Sequence, residues 1–215
     1  MALQKTETLM LDMDGTLLDL AFDNYMWLEH IPRHYAVVND IPLEEAQADL
    51  MSRFAALHGN LEWYCLEHWC EQLEIDVIQL HHDMSHRVGY LPGAKGFLEE
   101  MHSRDVRVLM VTNSHRITYE LKDAITGVGD FFDAIHSSHD YGHPKESQEF
   151  WDALQHDVEF DPATTMFVDD AAHVLRSARS YGIEMLVNIT KPDTRRPAKE
   201  NDEFVGVEKI AELLD

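Results

Sequence analysis

The apolar positions divide the chain into three stretches with different periodicities. Residues 8–11 form a short apolar run, which predicts a strand buried on both faces of a parallel sheet. From residue 21 to residue 89, apolar residues recur at the spacing of amphipathic helices. Beyond residue 90, short apolar runs alternate with helical segments, which is typical of a sheet covered by helices.

Predicted elements follow from these periodicities. Pro32 interrupts the first helix of the middle stretch, so we expect a kink or a break there. The helices predicted in this stretch are 21–39, 42–58, 61–73 and 76–88. Later helices are predicted at 94–104, 116–125, 146–157, 171–181 and 207–214, and later strands at 106–111, 134–136, 165–168 and 184–189.

The alternation of strands and helices predicts an α/β fold with a doubly wound parallel sheet. The helical stretch is then an insertion that ends at Leu91-Pro92-Gly93, where proline and glycine mark a boundary. We therefore expect an α/β core formed by residues 1–20 and 91–215, and an α-helical cap formed by residues 21–90.

The composition is strongly acidic, which limits the expected partners. The 215 residues contain 40 Asp and Glu against 17 Lys and Arg, for a net charge of −23. Nucleic-acid polymers and anionic membranes require basic surfaces, so we expect neither, whereas a small anionic substrate needs only a local positive pocket. Cys65 and Cys70 match no zinc or redox spacing and predict reduced thiols in a cytoplasmic protein. The neighbouring histidines His81, His82 and His86 are expected on a solvated helix face.

Polar residues follow several predicted strands, at the sheet rim where doubly wound folds bind ligands. They are Asp12, Asp14, Thr112, Asn113, Asp169 and Asp170, and Lys145 lies nearby in the loop 142–145. Each has an ordinary structural explanation as a turn residue, a helix cap or a surface lysine. Their convergence on one rim makes a shared site the better explanation.

These residues suit phosphoryl transfer through a covalent intermediate. Asp12 would attack phosphorus, and Asp14 would protonate the leaving oxygen and later deprotonate the attacking water. Because buried carboxylates need a compensating charge, we expect Mg²⁺, which prefers carboxylate oxygen. Its predicted ligands are the Asp12 carboxylate, the Asp14 backbone carbonyl and Asp169, with Asp170 assisting. Lys145 would supply a cation to the nucleophile and the transferring group. The residues predicted to hold phosphoryl oxygens are Thr112 and the amide of Asn113.

Four motifs in this order resemble those of the haloacid dehalogenase-like (HAD) phosphatase superfamily. They are Asp12-Met-Asp-Gly-Thr, Val111-Thr112-Asn113, Lys145 and Asp169-Asp170. The resemblance implies a Rossmann-like core, and the helical insertion resembles the C1-type cap of that superfamily. Asp14 is informative, because the dehalogenase branch lacks this acid; the resemblance therefore implies a phosphatase.

A narrower resemblance covers nearly the whole chain. Segments that begin at Asp19, Trp63 and Gly142 are similar to bacterial GMP/IMP 5′-nucleotidases, HAD enzymes that hydrolyse purine monophosphates. With this resemblance, Asp23 and Asn24 become candidate substrate contacts where the cap leaves the core. Other cap residues could stack on a base or bind an anion, although packing inside the cap is the alternative for each aromatic. They are Trp27, Trp63, Tyr64 and Trp69, and Arg33, Arg53 and Arg87.

Three alternatives stay open on the sequence. The protein could be a phosphatase for sugar phosphates or other small phosphomonoesters, and residues of the cap would decide this. It could be a phosphomutase, which would need its phosphoenzyme shielded from water. It could also be an inactive HAD-fold binding protein, although the intact motifs argue against that alternative.

Overall fold

A computed structural model describes residues 3–214, and a six-stranded parallel sheet lies at its centre. The strands are β1 (Thr8–Leu11), β2 (Arg107–Thr112), β3 (Ala134–Ser137), β4 (Thr165–Asp169), β5 (Met185–Ile189) and β6 (Val205–Val207). Their order is β3-β2-β1-β4-β5-β6, and every neighbouring pair is parallel. This is the order of a Rossmann-like doubly wound sheet, and it confirms the predicted α/β fold class.

Helices cover the sheet and form the insertion after β1. They are α1 (Ala21–Tyr25), α2 (Ile31–Asn39), α3 (Leu43–Leu57), α4 (Leu66–Leu73), α5 (Val77–Met84), α6 (Ala94–His102), α7 (Arg116–Thr126), α8 (Ser138–Tyr141), α9 (Gln148–Val158) and α10 (Ala172–Tyr181). Short 3₁₀ turns lie at Leu3–Lys5, Leu61–Tyr64, Ser85–Arg87, Val128–Phe131 and Ile210–Leu214. Among residues 3–214, none of these helices has the length and apolar character needed to cross a bilayer.

Alternate residues of the central strand pack into two separate apolar layers. Leu9 and Leu11 of β1 belong to one layer, and Met10 belongs to the other together with Trp151 and Phe167. All five side chains are fully buried. Because both faces of the sheet are covered, its carboxyl-terminal rim is left as the place where polar side chains can meet a ligand.

The helical insertion has an apolar cluster of its own, which includes Phe22, Met26, Ile31, Leu50, Phe54, Trp69 and Leu80. A π-helical turn, Met26–His30, joins α1 to α2 just ahead of Pro32. Proline lacks an N–H and crowds the carbonyl four residues earlier, so the helix widens here rather than breaking. The division into core and cap stays a proposal, which this separate cluster supports.

The end of the chain differs from the prediction. The predicted helix 207–214 is only the 3₁₀ turn Ile210–Leu214, and the edge strand β6 precedes it unpredicted. Val205 in β6 is 67% exposed, so no burial pattern marks this three-residue strand in the sequence. Helix α8 was also not predicted; it begins with a capping box in which Ser137 and Asp140 exchange hydrogen bonds with each other's backbone.

The expectation of a solvated histidine face is wrong at His81. This side chain is only 1% exposed, and its Nδ1 lies 2.8 Å from the carbonyl oxygen of Val77. Burial lowers the pKa of His81 to about 4. The ring is therefore neutral at pH 7, with Nδ1–H donated to Val77 and Nε2 left as an acceptor.

Candidate active site

The candidate site lies where the carboxyl ends of β1, β2 and β4 meet. β1 pairs with β2 on one side and with β4 on the other, so the strand order reverses direction here. A doubly wound sheet opens a crevice at this point. Asp12 directly follows β1, while Thr112 and Asp169 are the last residues of β2 and β4. The structure thus brings together residues that are far apart in the sequence.

Lys145 joins the two strand ends through its ammonium group. Its Nζ donates to Oδ1 of Asp12 and to Oδ2 of Asp169, both at 2.7 Å, and to the carbonyl oxygen of Val111 at 3.1 Å. The residue is only 2% exposed. Burial opposes the charge on Lys145, but the carboxylates of Asp12 and Asp169 outweigh it and raise the pKa of this ammonium group. Lys145 is therefore a permanent cation beside the candidate nucleophile.

Three carboxylates form a group of oxygen ligands that fits a hard cation. Asp12, Asp169 and Asp170 each offer an oxygen, and these oxygens lie within 4.8 Å of one another. Burial raises the pKa of Asp12 well above its ordinary value; Lys145 opposes the rise, and the charges of Asp169 and Asp170 add to it. Lys199 is a further cation nearby, and its Nζ lies 2.9 Å from Oδ2 of Asp170. Two lysines leave three carboxylates incompletely neutralised, so an oxygen-coordinated ion such as Mg²⁺ suits this group.

Gly15 allows the chain to pass close to this carboxylate group. Its φ of +85° is favourable for glycine only, and a Cβ placed on it would lie 2.8 Å from Cγ of Asp170. Any side chain at this position would therefore displace Asp170. The glycine after the two acids is thus required by close packing as well as by backbone conformation.

Asp14 is held separately from the other acids. Its Oδ2 accepts a hydrogen bond from the hydroxyl of Ser114, and its Oδ1 accepts one from Nζ of Lys122, both at 2.6 Å. Lys122 also donates to Oδ1 of Asp23 at 2.7 Å and is 1% exposed. Burial disfavours the charged lysine, but Asp14 and Asp23 outweigh burial and raise the pKa of Lys122. Asp14 therefore has a fixed position, with its carboxylate aimed into the crevice.

The two predicted cap contacts are both engaged within the protein. Asp23 accepts from Lys122, and Asn24 donates to Oδ2 of Asp193 at 2.7 Å. Burial raises the pKa of Asp23 to about 6, with Lys122 opposing the rise and Asp14 adding to it. Both residues line the larger cavity described below, so they lie at the site while also fixing the start of the cap.

Asn113 braces the loop that carries Lys145. Its Oδ1 accepts from the backbone N–H of Lys145 at 2.9 Å, and its Nδ2 donates to Oε2 of Glu146 at 3.0 Å. Glu146 also accepts from the hydroxyl of Tyr64, at 3.1 Å, and so links the cap to the core. The Oγ1 of Thr112 accepts from the backbone N–H of Ser114 at 3.0 Å. The Asn113 side chain thus orients Lys145, and the backbone amide remains the group expected to meet phosphate.

Two adjoining cavities occupy the site. The smaller, about 150 Å³, is lined mainly by polar and charged residues, which include Asp12, Lys145 and the other predicted rim residues. The larger, about 310 Å³, lies against the cap and is lined mainly by apolar and aromatic side chains. The residues shared by both cavities are Asp14, Leu20, Tyr64 and Ser114. A small charged group and an apolar group on one molecule could therefore occupy the cavities together.

The cap aromatics and arginines divide into two sets. Trp27, Trp63 and Tyr64 line the larger cavity, whereas Trp69 is buried in the cap cluster. None of the predicted anion-binding arginines lines either cavity. Arg33 pairs with Glu29, Arg53 pairs with Asp49, and Arg87 lies 3.8 Å from the centre of the Tyr25 ring. The larger cavity therefore contacts a ligand mainly through aromatic surface.

Several residues of the site were not predicted from the sequence. They are Ser114, Lys122, Glu146, His81 and Lys199. One signal was available for Lys122, because it follows Thr118 by four residues and lies next to Leu121, so it shares the buried face of α7. A lysine on an apolar helix face requires acidic partners, but the sequence does not say which acids these are.

Known proteins resemble this chain in sequence and in fold. The family of haloacid dehalogenase-like hydrolases matches residues 6–182. The GMP/IMP nucleotidase YrfG of Escherichia coli is 34% identical over 193 residues, which cover 90% of this chain and 87% of that protein. A HAD phosphatase from Thermococcus onnurineus superposes with a TM-score of 0.79 at 19% identity, over 97% of this chain and 96% of the other. The magnesium-bound HAD-hydrolase YfnB of Bacillus subtilis has a TM-score of 0.66 at 18% identity, over 97% and 96% of the two chains. The chain is thus an enzyme of the haloacid dehalogenase-like hydrolase family.

Proposed function

We propose that this hydrolase is a Mg²⁺-dependent 5′-nucleotidase that cleaves purine monophosphates through an aspartyl phosphate on Asp12. The observation that carries the proposal is the contact of Lys145 with both Asp12 and Asp169, at 2.7 Å each, beside the separately held Asp14. This arrangement supports a nucleophile, a cation and a proton carrier at one site, because Asp12, Lys145 and Asp14 all line the same small cavity.

In the first step, an oxygen of Asp12 forms a bond to phosphorus while the bond from phosphorus to the ester oxygen breaks. Lys145 stabilises the negative charge that spreads over the phosphoryl oxygens. Asp14, held by Ser114 and Lys122, takes up a proton as the substrate binds and gives it to the departing alcohol oxygen. Thr112 and the backbone amide of Asn113 bind phosphoryl oxygens. The product of this step is an alcohol and a phosphorylated Asp12.

In the second step, water attacks phosphorus from the side vacated by the alcohol. Asp14 accepts a proton from the water, the bond from phosphorus to Asp12 breaks, and inorganic phosphate is released. Asp14 thus gives one proton to the alcohol in the first step and takes one from water in the second. It is then ready for the next turnover.

The residues proposed to hold Mg²⁺ are Asp12, Asp169, Asp170 and the backbone carbonyl of Asp14. When bound, Mg²⁺ neutralises the carboxylates and the substrate phosphate, which would otherwise repel each other. Burial is the main cause of the raised pKa values of Asp12 and Asp170, and repulsion by neighbouring carboxylates adds to it. The chain's own contribution is to hold three acidic side chains together through Lys145 and Lys199.

The larger cavity supports a nucleobase as the part of the leaving group that the enzyme recognises. Its aromatic wall includes Trp27 and Trp63, whose ring centres are 6.3 Å apart, and both face the same cavity as Asp14. A flat purine suits such a wall better than a sugar, which would leave its hydroxyls facing apolar side chains. The nucleotidase activity of YrfG supports the same substrate class.

The proposed partners are therefore small phosphate esters. A net charge of −23 disfavours binding to nucleic-acid polymers and anionic membranes. Both cysteines are free thiols, which supports a cytoplasmic location.

A substrate panel tests the proposal. Phosphate release is measured with Mg²⁺ for GMP, IMP, UMP, CMP, glucose 6-phosphate and p-nitrophenyl phosphate. We expect the highest kcat/KM for GMP and IMP, and we expect Trp63→Ala to lower these values more than that for p-nitrophenyl phosphate. A flat profile across nucleotides and sugar phosphates would refute the nucleotidase proposal, and a preference for sugar phosphates would favour the alternative.

A further inference from the structure

A second group of metal-binding side chains lies at the seam between the cap and the core. Cys65 and Glu67 come from the cap, and His115 comes from the core loop directly after Ser114. Oε2 of Glu67 lies 3.4 Å from Sγ of Cys65 and 3.3 Å from Nδ1 of His115. One atom from each of the three side chains thus lies within 4.8 Å of the other two.

Two of these three spacings match those between the ligands of a tetrahedral zinc ion. With Zn–ligand bonds of about 2.0–2.3 Å, the ligand atoms of a tetrahedron are about 3.3–3.8 Å apart. The two distances that meet at Glu67 fall inside that range. The mixture of thiolate, imidazole and carboxylate also favours Zn²⁺ over Mg²⁺, which prefers oxygen ligands only.

The imidazole of His115 has a nitrogen that is free to bind an ion. Within residues 3–214, its buried Nδ1 makes no hydrogen bond, although the Glu67 carboxylate lies close by. The ring of His139 packs edge-on against His115, with 4.7 Å between ring centres and an angle of 84°. This contact fixes the orientation of the His115 ring, so the nitrogen is held towards Cys65 and Glu67.

We propose that Cys65, Glu67 and His115 form a binding site for a thiophilic divalent cation such as Zn²⁺, which joins the cap to the core. A water molecule supplies the fourth ligand. On binding, the Cys65 thiol loses its proton to solvent and the thiolate bonds to the ion, with no change of oxidation state.

The position of this site connects it to the catalytic machinery. Cys65 follows Tyr64, which lines both cavities, and His115 follows Ser114, which holds Asp14. A bound ion would therefore fix the cap to the core next to residues that line both cavities. Because substrate entry and product release require an opening between cap and core, occupancy of the site slows turnover.

Co²⁺ absorption tests the site without depending on catalysis. The protein, saturated with Mg²⁺, is titrated with Co²⁺, because Co²⁺ bound to a thiolate gives a near-ultraviolet charge-transfer band that carboxylate-bound Co²⁺ lacks. We expect the band in the wild type and in the matched control Cys70→Ala, and we expect its loss in Cys65→Ala. Loss of a residue that only contacts a metal ligand costs about 10–100-fold in metal affinity. His115 is proposed as a direct ligand, so His115→Ala should raise the apparent Kd for Co²⁺ at least about tenfold. Absence of the band from the wild type, or its persistence in Cys65→Ala, would overturn the proposal.

Zn²⁺ inhibition tests the proposed consequence, and this readout rests on the proposed phosphatase activity. With Mg²⁺ in excess, we expect Zn²⁺ to inhibit the wild type and Cys70→Ala at concentrations at least about tenfold lower than Cys65→Ala. Inhibition that remains in Cys65→Ala reports displacement of Mg²⁺ at the Asp12 site. Equal inhibition of all three proteins would show that the seam site does not control turnover.

Discussion

Lys122 offers the sharpest test of how the fold prepares the proton carrier. The side chain is 1% exposed, and its ammonium group contacts Asp14 at 2.6 Å and Asp23 at 2.7 Å. Replacement by methionine keeps the length and apolar contacts of the side chain but removes the charge. Two neighbouring carboxylates would then share the site without a cation.

The expected cost to stability follows from this geometry. Removing one partner of a buried ion pair costs about 3–5 kcal/mol. The side chains of Asp14 and Asp23 are 18% and 19% exposed, so water partly offsets the cost of leaving their charges unpaired. We therefore expect Lys122→Met to lower the free energy of unfolding by about 3 kcal/mol, at the lower end of that range.

The variant should also lose activity, because Asp14 would keep only its hydrogen bond from Ser114 and lose the one from Lys122. General acid–base catalysis contributes about 10²–10⁴ in rate, and we expect kcat to fall by about 100-fold or more. Urea unfolding and phosphate release measure the two effects. Lys95→Met, at an exposed position of α6, is the matched control and should resemble the wild type.

A double variant separates charge from packing. In Lys122→Met/Asp23→Asn the lysine is lost together with one of its acids, so part of the lost stability should return. Activity should remain low, because Asp14 still lacks its partner. A Lys122→Met protein with wild-type stability and wild-type kcat would refute the role of this buried lysine.

Three further predictions concern other parts of the site. Burial keeps His81 neutral and lowers its pKa to about 4, so its contribution to stability is fully present above about 6.5 and is lost as the pH falls towards 4. Between pH 7 and pH 4, we expect the free energy of unfolding of the wild type to fall by about 2–3 kcal/mol more than that of His81→Gln, as measured by urea unfolding. Equal losses in the two proteins would contradict the neutral buried ring. Gly15→Ala places a Cβ 2.8 Å from Cγ of Asp170, at a φ of +85°. The substitution should therefore lower the free energy of unfolding by about 1–2 kcal/mol and weaken activation by Mg²⁺. An unchanged Mg²⁺ titration would contradict the close packing. Mg²⁺ should raise the Tm of the wild type and restore activity after EDTA treatment; full activity in the chelator would rule out the proposed ion.

The sheet and its rim were predictable because their signals are local. A buried strand that ends in Asp12 and Asp14 is unusual in itself, and the later strands end in polar residues in the same way. Parallel topology then places these residues on one rim without knowledge of any distance. The fold class and the family were therefore accessible from the sequence.

Residues whose roles depend on distant partners were not predictable in this way. Lys122 is paired with Asp14, 108 positions earlier, and Asn24 is paired with Asp193, 169 positions later. His81 belongs to a helix with polar neighbours, and only the packing of the cap shows that it is buried. Such contacts arise from tertiary packing, so helical periodicity gives no direct indication of them.

The most direct test of the central proposal is to look for phosphate on Asp12. The enzyme is mixed with Mg²⁺ and radiolabelled GMP carrying the label in its phosphate, quenched in acid during turnover, digested and analysed by mass spectrometry. We expect one phosphoryl group on the peptide that contains Asp12, and we expect none in Asp12→Asn, whose turnover is abolished. Rapid phosphate release with no labelled peptide, or with the label on another residue, would contradict the proposed mechanism.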